Sequence, residues 1–145
     1  MAIEIINATS GCLEDIEKIE FSLEHRNLSY ISLKNDLTNS NCYYIVAKIN
    51  NDVVGYAGLQ LLVDHADITA IAVSKNHLKK GIATLLLNKL IEKCKGLHMD
   101  KMFLEVRTSN TPAINLYEKL GFKKISTRKN YYENNEDAYI YQKDL

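Results

Sequence analysis

The stretch Ile68–Val106, ITAIAVSKNHLKKGIATLLLNKLIEKCKGLHMDKMFLEV, decides the fold. Ile68–Val73 is a short apolar run bounded by polar residues and reads as a strand. From Ala83 the apolar residues recur at Leu86, Leu87, Leu90, Ile91 and Cys94. Thr84, Asn88, Glu92 and Lys95 lie opposite, which is the period of an amphipathic helix. Gly96 stands where a C-cap glycine is expected, and Lys93 and Lys95 suit the negative end of the helix dipole. Lys101–Val106 then reads as a second strand. Strand, loop, helix and strand over this length form a βαβ unit, so the two strands must be parallel and joined by a right-handed crossover.

Working outward, the N-terminal side reads as antiparallel. Ala2–Ile6 alternates weakly and is a strand candidate. From Ser10, Leu13, Ile16, Ile19 and Leu23 mark a helix with acids on its other face, and Tyr30–Leu37 marks a second. Cys42–Ile49 and Val53–Val63 read as strands joined by the turn Asn50-Asn51-Asp52, and Asp64–Asp67 is a polar break before Ile68. On the C-terminal side, Thr111 and Pro112 read as an N-cap and first-turn proline opening a helix to Leu120, which Gly121 ends. Phe122–Arg128 and Ala138–Lys143 are the last strands. The expected class is α/β: a mixed, mostly antiparallel sheet of about seven strands with about four helices.

The chain has 145 residues, so one domain is expected over 1–145. Lys plus Arg number 18 and Asp plus Glu number 18, which gives no basic excess of the kind a nucleic-acid binder carries. The run Lys123, Lys124, Arg128, Lys129, Tyr131, Tyr132 is diluted by Glu133, Glu136 and Asp137. Cys12, Cys42 and Cys94 are far apart without a CxxC pair, and no ligand cluster accompanies Cys94 and His98, so no metal site is expected. Met1–Glu20 lacks the basic start and apolar run of a secretory leader. Val53–Val63 is about half a membrane span and is broken by Gln60. The expectation is a cytoplasmic protein with neither nucleic acid nor membrane as partner.

Four features carry chemistry. Ser74–Thr84 leaves a strand and enters a helix through Lys79-Lys80-Gly81-Ile82-Ala83, where free N–H groups and positive charge suit a phosphate; an ordinary connecting loop with solvated lysines has the same look. Glu105 interrupts an apolar strand that should be covered on both faces. A carboxylate there is either a base with a raised pKa or half of an ion pair with Arg107, two residues along on the same face. Tyr117 and Asn110, taken alone, are a ring packed on a helix and a turn residue.

Taken together, these residues resemble the GNAT acetyltransferases from about Val53 to the end. The resemblance rests on Lys79-Lys80-Gly81-Ile82-Ala83, on Leu104-Glu105-Val106-Arg107 with Asn110, and on Asn115-Leu116-Tyr117-Glu118-Lys119-Leu120-Gly121-Phe122. The segments Arg128-x-Asn130-Tyr131-Tyr132 and Glu136-Asp137-Ala138 are similar to the RimI branch, which acetylates the N-terminal alanine of a small-subunit ribosomal protein. The resemblance implies that acetyl-CoA lies where a central parallel pair of strands splays. Backbone groups of Ile71, Ala72 and Val73 would then hold the pantetheine, Lys79, Lys80, Gly81, Ile82, Ala83 and Thr84 would wrap the pyrophosphate, and Asn110 would add a cofactor contact. It implies Glu105 as general base, Tyr117 as general acid, and direct attack of the amine on the thioester in a ternary complex. Tyr131 and Tyr132 fall where related enzymes grip the peptide. Leu78 stands where members carry Gln or Arg, and Arg26-Asn27-Leu28-Ser29 stands near the place of a Phe-Pro-Trp-Ser segment. Another amine acceptor (a different protein N-terminus, a lysine or a polyamine) and a non-catalytic acyl-CoA-binding module are the alternatives.

Overall fold

The computed structural model describes residues 2–145, with Met1 outside them. It holds strands β1 (Glu4–Asn7), β2 (Cys42–Ile49), β3 (Asp52–Leu61), β4 (His65–Val73), β5 (Lys101–Arg107), β6 (Lys123–Arg128) and β7 (Ala138–Asp144). The helices are α1 (Leu13–Ser22), α2 (Tyr30–Asp36), α3 (Ile82–Gly96) and α4 (Thr111–Lys119). The strands make one sheet in the order β1-β2-β3-β4-β5-β7-β6, and every neighbouring pair is antiparallel except β4 and β5. At the β2–β3 hairpin, Asn50 and Asn51 take φ of 51° and 66°, the left-handed pair that a tight two-residue turn needs.

The parallel pair is short. His65, Ala66 and Asp67 face Lys101, Met102 and Phe103, and pairing stops there, although β4 continues to Val73 and β5 to Arg107. Beyond that third rung the strands part and leave one edge of β4 without a neighbour. A bulge lies beside the split: Gly58 faces Ala70 while Leu59 faces Ile68, so Thr69 has no partner on β3. A bulge shifts the alternation of side chains by one. Ala66 and Ile68 accordingly pack with α3, whereas Ala70 and Ala72 pack on the opposite face with Ile16, Ile19 and Leu33 of α1 and α2.

Several local expectations are corrected. Asp64–Asp67 is not a break, because β4 already begins at His65. Ser10–Cys12 is a single 3-10 turn, and α1 starts at Leu13. Gly96 is the last residue of α3 rather than its cap. His98 takes the left-handed conformation at φ 58°, with its N–H bonded to the Lys95 carbonyl and that of Met99 to the Cys94 carbonyl, a Schellman closure two residues further on. The N-cap of α4 is Asn110, whose side chain accepts from the Ala113 N–H, and Thr111 is already helical. Not all acids of α1 face solvent: Glu20 is fully buried. Among the described residues no helix is long and apolar enough to cross a membrane.

Candidate active site

A cleft of about 810 Å³ opens where β4 and β5 part. Asp67, Ile68, Thr69 and Ile71 of β4 and Glu105, Val106 and Arg107 of β5 form its floor. One wall is the loop between α1 and α2, from Leu23 to Leu28. The other is Ser109, Asn110, Pro112, Ala113 and Tyr117 around the start of α4, with Tyr131 and Tyr132 from the β6–β7 connection. The split therefore gathers Ile71, Glu105, Asn110, Tyr117, Tyr131 and Tyr132 around one space. Ala72, Val73 and Lys79–Thr84 lie outside its lining, further along β4 and onto α3.

Glu105 is exposed to this cleft, and the strand bearing it is not covered on both faces as its apolar sequence suggests. Burial among the cleft walls raises its pKa, the Arg128 guanidinium opposes that rise, and the Asp67 carboxylate adds to it. Asp67 faces Phe103 on the last parallel rung, and Glu105 is two residues beyond Phe103, so the two carboxylates share one face of the sheet. Asp67 is itself raised by burial. Asp67, expected in a polar break, is a strand residue facing the cleft.

Arg107 does not pair with Glu105. Its side chain, only 10% exposed, reaches the β6–β7 connection instead. Nη1 donates to Asn134 Oδ1 at 2.9 Å and to Glu136 Oε1 at 3.1 Å, and Nη2 to Glu133 Oε1 at 3.2 Å. The guanidinium carbon lies 3.9 Å from the centre of the Tyr132 ring, a cation–π contact. Glu136 also accepts from the Ser109 N–H at 2.9 Å; that bond and Arg107 hold its pKa down to about 2. Arg107 thus staples the connection to β5 and holds Tyr132 over the cleft. Glu105 is left without a salt bridge among the described residues. These partners lie 26 to 29 residues away, beyond the reach of a spacing rule.

Tyr117 is 5% exposed, with its ring packed edge-on against Phe122 at 5.9 Å. The residue belongs to the cleft lining, and its hydroxyl, which has no hydrogen-bond partner among the described residues, is not sealed from solvent. Burial raises its pKa, and the nearby Tyr132 adds to the rise. Tyr132, edge-on to Tyr131 at 5.0 Å, is pushed up to about 12 by burial, against the opposing charge of Arg107. Asn110 spends its carbonyl oxygen on the α4 cap and keeps its amide NH₂ for other partners.

The start of α3, where the sequence suits a phosphate, is built differently. Lys79 and Gly81 take φ of 62° and 77°, and Gly81 is the N-cap of α3 with no side chain closing the helix start. A Cβ on Gly81 would meet nothing within 4 Å, so the turn is open above that residue. The Gly81 carbonyl accepts from the Leu85 N–H, leaving the N–H groups of Ile82, Ala83 and Thr84 at an uncapped helix end. Lys79 and Lys80 are exposed beside them. No group of three or more His, Cys, Asp or Glu side chains that could hold a metal occurs among the described residues.

The chain is similar to proteins of one family. The profile of the Acetyltransferase (GNAT) family matches residues 11–122. An N-alpha-acetyltransferase of Saccharolobus solfataricus is 36% identical over 152 aligned positions, covering 96% of this chain and 91% of the relative. The crystal structure of the ribosomal-protein-S18-alanine N-acetyltransferase from Escherichia coli superimposes with a TM-score of 0.93 at 27% identity, covering 99% of this chain and 94% of that one. A GNAT family acetyltransferase from Elizabethkingia anophelis, solved with acetyl-CoA bound, gives 0.83 at 25% identity over 99% and 98% of the two chains. With the split sheet and the open helix start in place, the chain belongs to the GNAT family of acetyltransferases.

Proposed function

We propose that the protein is an N-alpha-acetyltransferase that moves an acetyl group from acetyl-CoA to a free protein N-terminus, with N-terminal alanine of a ribosomal protein as the leading acceptor. The carrying observation is the cleft at the split, which presents a carboxylate without a salt bridge, Glu105, and an unpartnered phenol, Tyr117, in one space. The S. solfataricus relative and the E. coli structure, by their names, support an α-amine as acceptor.

The chain's own groups fit acetyl-CoA as co-substrate. The unpaired edge of β4 over Ile71, Ala72 and Val73 offers the Ile71 N–H and the Val73 main chain to the amides of pantetheine, as an added strand would, while Ala72 between them pairs with Tyr56 of β3. The uncapped start of α3 at Ile82, Ala83 and Thr84, with Gly81 giving close approach and Lys79 and Lys80 beside it, suits a pyrophosphate. The Asn110 amide faces the same cleft. When bound, acetyl-CoA supplies an activated thioester.

Glu105 accepts a proton from the incoming ammonium, directly or through water. An α-amino group has a pKa of about 7.7–8.0 against about 10.4 for lysine, so a carboxylate with a modestly raised pKa suffices near neutrality. The free amine attacks the thioester carbon, the new C–N bond forms, the C–S bond breaks, and the Tyr117 hydroxyl gives its proton to the departing sulfur. Tyr131 and Tyr132, opposite the 23–28 wall, grip the first residues of the peptide.

The test offers acetyl-CoA with peptides beginning Ala, Ser, Met or acetyl-blocked Ala, together with free polyamines. A gain of one acetyl mass on the free Ala peptide, and none on the blocked one, is expected. Acetylated polyamine beside untouched peptides would sink this reading.

A further inference from the structure

Glu20 is the one charged side chain with no solvent exposure among the described residues, and it does not line the cleft. No salt bridge reaches it: Arg26, from the loop above, turns outward onto Glu17, with Nη1 at 2.9 Å from Oε2. Donors from two sides satisfy its carboxylate. From below, the Tyr56 hydroxyl on β3 donates to Oε1 at 2.7 Å. From above, the backbone N–H groups of Asn27 and Leu28 donate to Oε1 at 3.1 and 3.2 Å, and Asn27 Nδ2 reaches Oε2 at 3.4 Å. The same Nδ2 also lies 3.3 Å from the Ile71 carbonyl of β4, on the floor of the cleft.

A buried carboxylate without a cation is costly, and an apolar residue at this place on the α1 stripe would serve a core better. The set of donors offsets that cost only while the loop is folded down onto Glu20. The cluster therefore ties the wall at Asn27 and Leu28 to two anchors at once: the helix beneath it and the β4 edge opposite β5. That contact sets the width of the cleft where an acceptor must approach Glu105.

We propose that Glu20 is a positioning residue for the acceptor: its carboxylate gathers the Asn27 and Leu28 N–H groups and, through the Asn27 amide, fixes the 23–28 wall against Ile71. The inference rests on the reading of that wall as the acceptor side. Alignment of the amine, not binding of acetyl-CoA or the proton transfers, is what the cluster controls.

Asn27→Ala, at an exposed residue, and Glu20→Gln, which keeps the shape but turns an NH₂ toward donors, test it. The acceptor is whichever amine of the panel the wild-type protein acetylates, so failure of the alanine reading appears in the wild type and failure of this inference only in the variants. Each variant is expected to raise acceptor KM roughly three- to tenfold, the scale of one or two lost hydrogen bonds. Acetyl-CoA affinity and kcat stay within about twofold, and the double variant is no worse than Glu20→Gln alone because the two act through one cluster. Should Glu20→Gln fail to fold, Asn27→Ala decides by itself. An unchanged acceptor KM in folded Asn27→Ala, or an equal loss of acetyl-CoA affinity, overturns the proposal. A wild type that acetylates no amine overturns it together with the function.

Discussion

At the far end of β4 the groups that face outward are main-chain: the uncapped N–H groups of Ile82, Ala83 and Thr84, set by the left-handed Lys79 and Gly81. At the mouth of the cleft the walls are held by side-chain charge, with Glu20 beneath the 23–28 loop and Arg107 beneath the 129–137 connection. On the proposed function, the difference follows from what each end would recognise. A pyrophosphate is the same in every turnover, and a helix start entered through a left-handed glycine would bind it with main-chain N–H groups. An acceptor is read by shape, so its walls must be placed, and buried charges with several donors or acceptors hold loops where apolar contacts are few. Glu105 and Tyr117 lie between the two ends.

The largest effect should fall at that junction. Glu105→Gln and Tyr117→Phe are each expected to lower kcat by about 10²–10⁴-fold, the usual contribution of one proton transfer, while acetyl-CoA binding by calorimetry is nearly unchanged. Normal turnover in both would remove the assigned roles. Next comes the staple. Arg107→Ala frees Glu133 and Glu136, loses the stack on Tyr132, and should raise acceptor KM about tenfold or more with little change in acetyl-CoA affinity. An equal loss at both ends would break the contrast drawn above.

Much of the fold was legible because its signals are local. The stripe Leu86, Leu87, Leu90, Ile91 and Cys94 has helical period and is buried as that period requires. Glu105 stood out as an acid within an apolar strand, and Tyr117 lay one turn along an amphipathic helix. What stayed hidden depends on contacts between distant segments. Glu20 falls on the same meridian as Leu13, seven residues earlier, and an acid at a core position was the one available sign of it. The Thr69 bulge was hidden because Ile68–Val73 reads as one short strand-like run, yet it turns Ala70 and Ala72 to the other face of the sheet. Arg107 sits two residues from Glu105 on one face, and only partners far along the chain turn it away.

The electrostatics around Glu105 give a third, directional test. Asp67 raises the Glu105 pKa and Arg128 lowers it, so their removal should act in opposite senses. A base works only when deprotonated, so the rate falls as pH drops through its pKa. Asp67→Asn lowers that pKa and should move the acid limb of kcat/KM to lower pH; Arg128→Gln should move it to higher pH. Shifts of the same sign in both would contradict Glu105 as the titrating base. The smallest effects belong to the start of α3. Lys79→Ala with Lys80→Ala should weaken acetyl-CoA only a few-fold, and less at high salt, because exposed charges are screened. Leu78→Arg, at a residue 55% exposed just before the start of α3, should tighten acetyl-CoA binding modestly.

The most direct measurement is fragment mass spectrometry on a peptide with a free N-terminal alanine and an internal lysine, after reaction with acetyl-CoA near neutral pH. The account predicts one acetyl group, on the α-nitrogen, that is nearly absent with Glu105→Gln. Acetyl on the lysine side chain, or α-acetylation that survives loss of Glu105 at full rate, would contradict it.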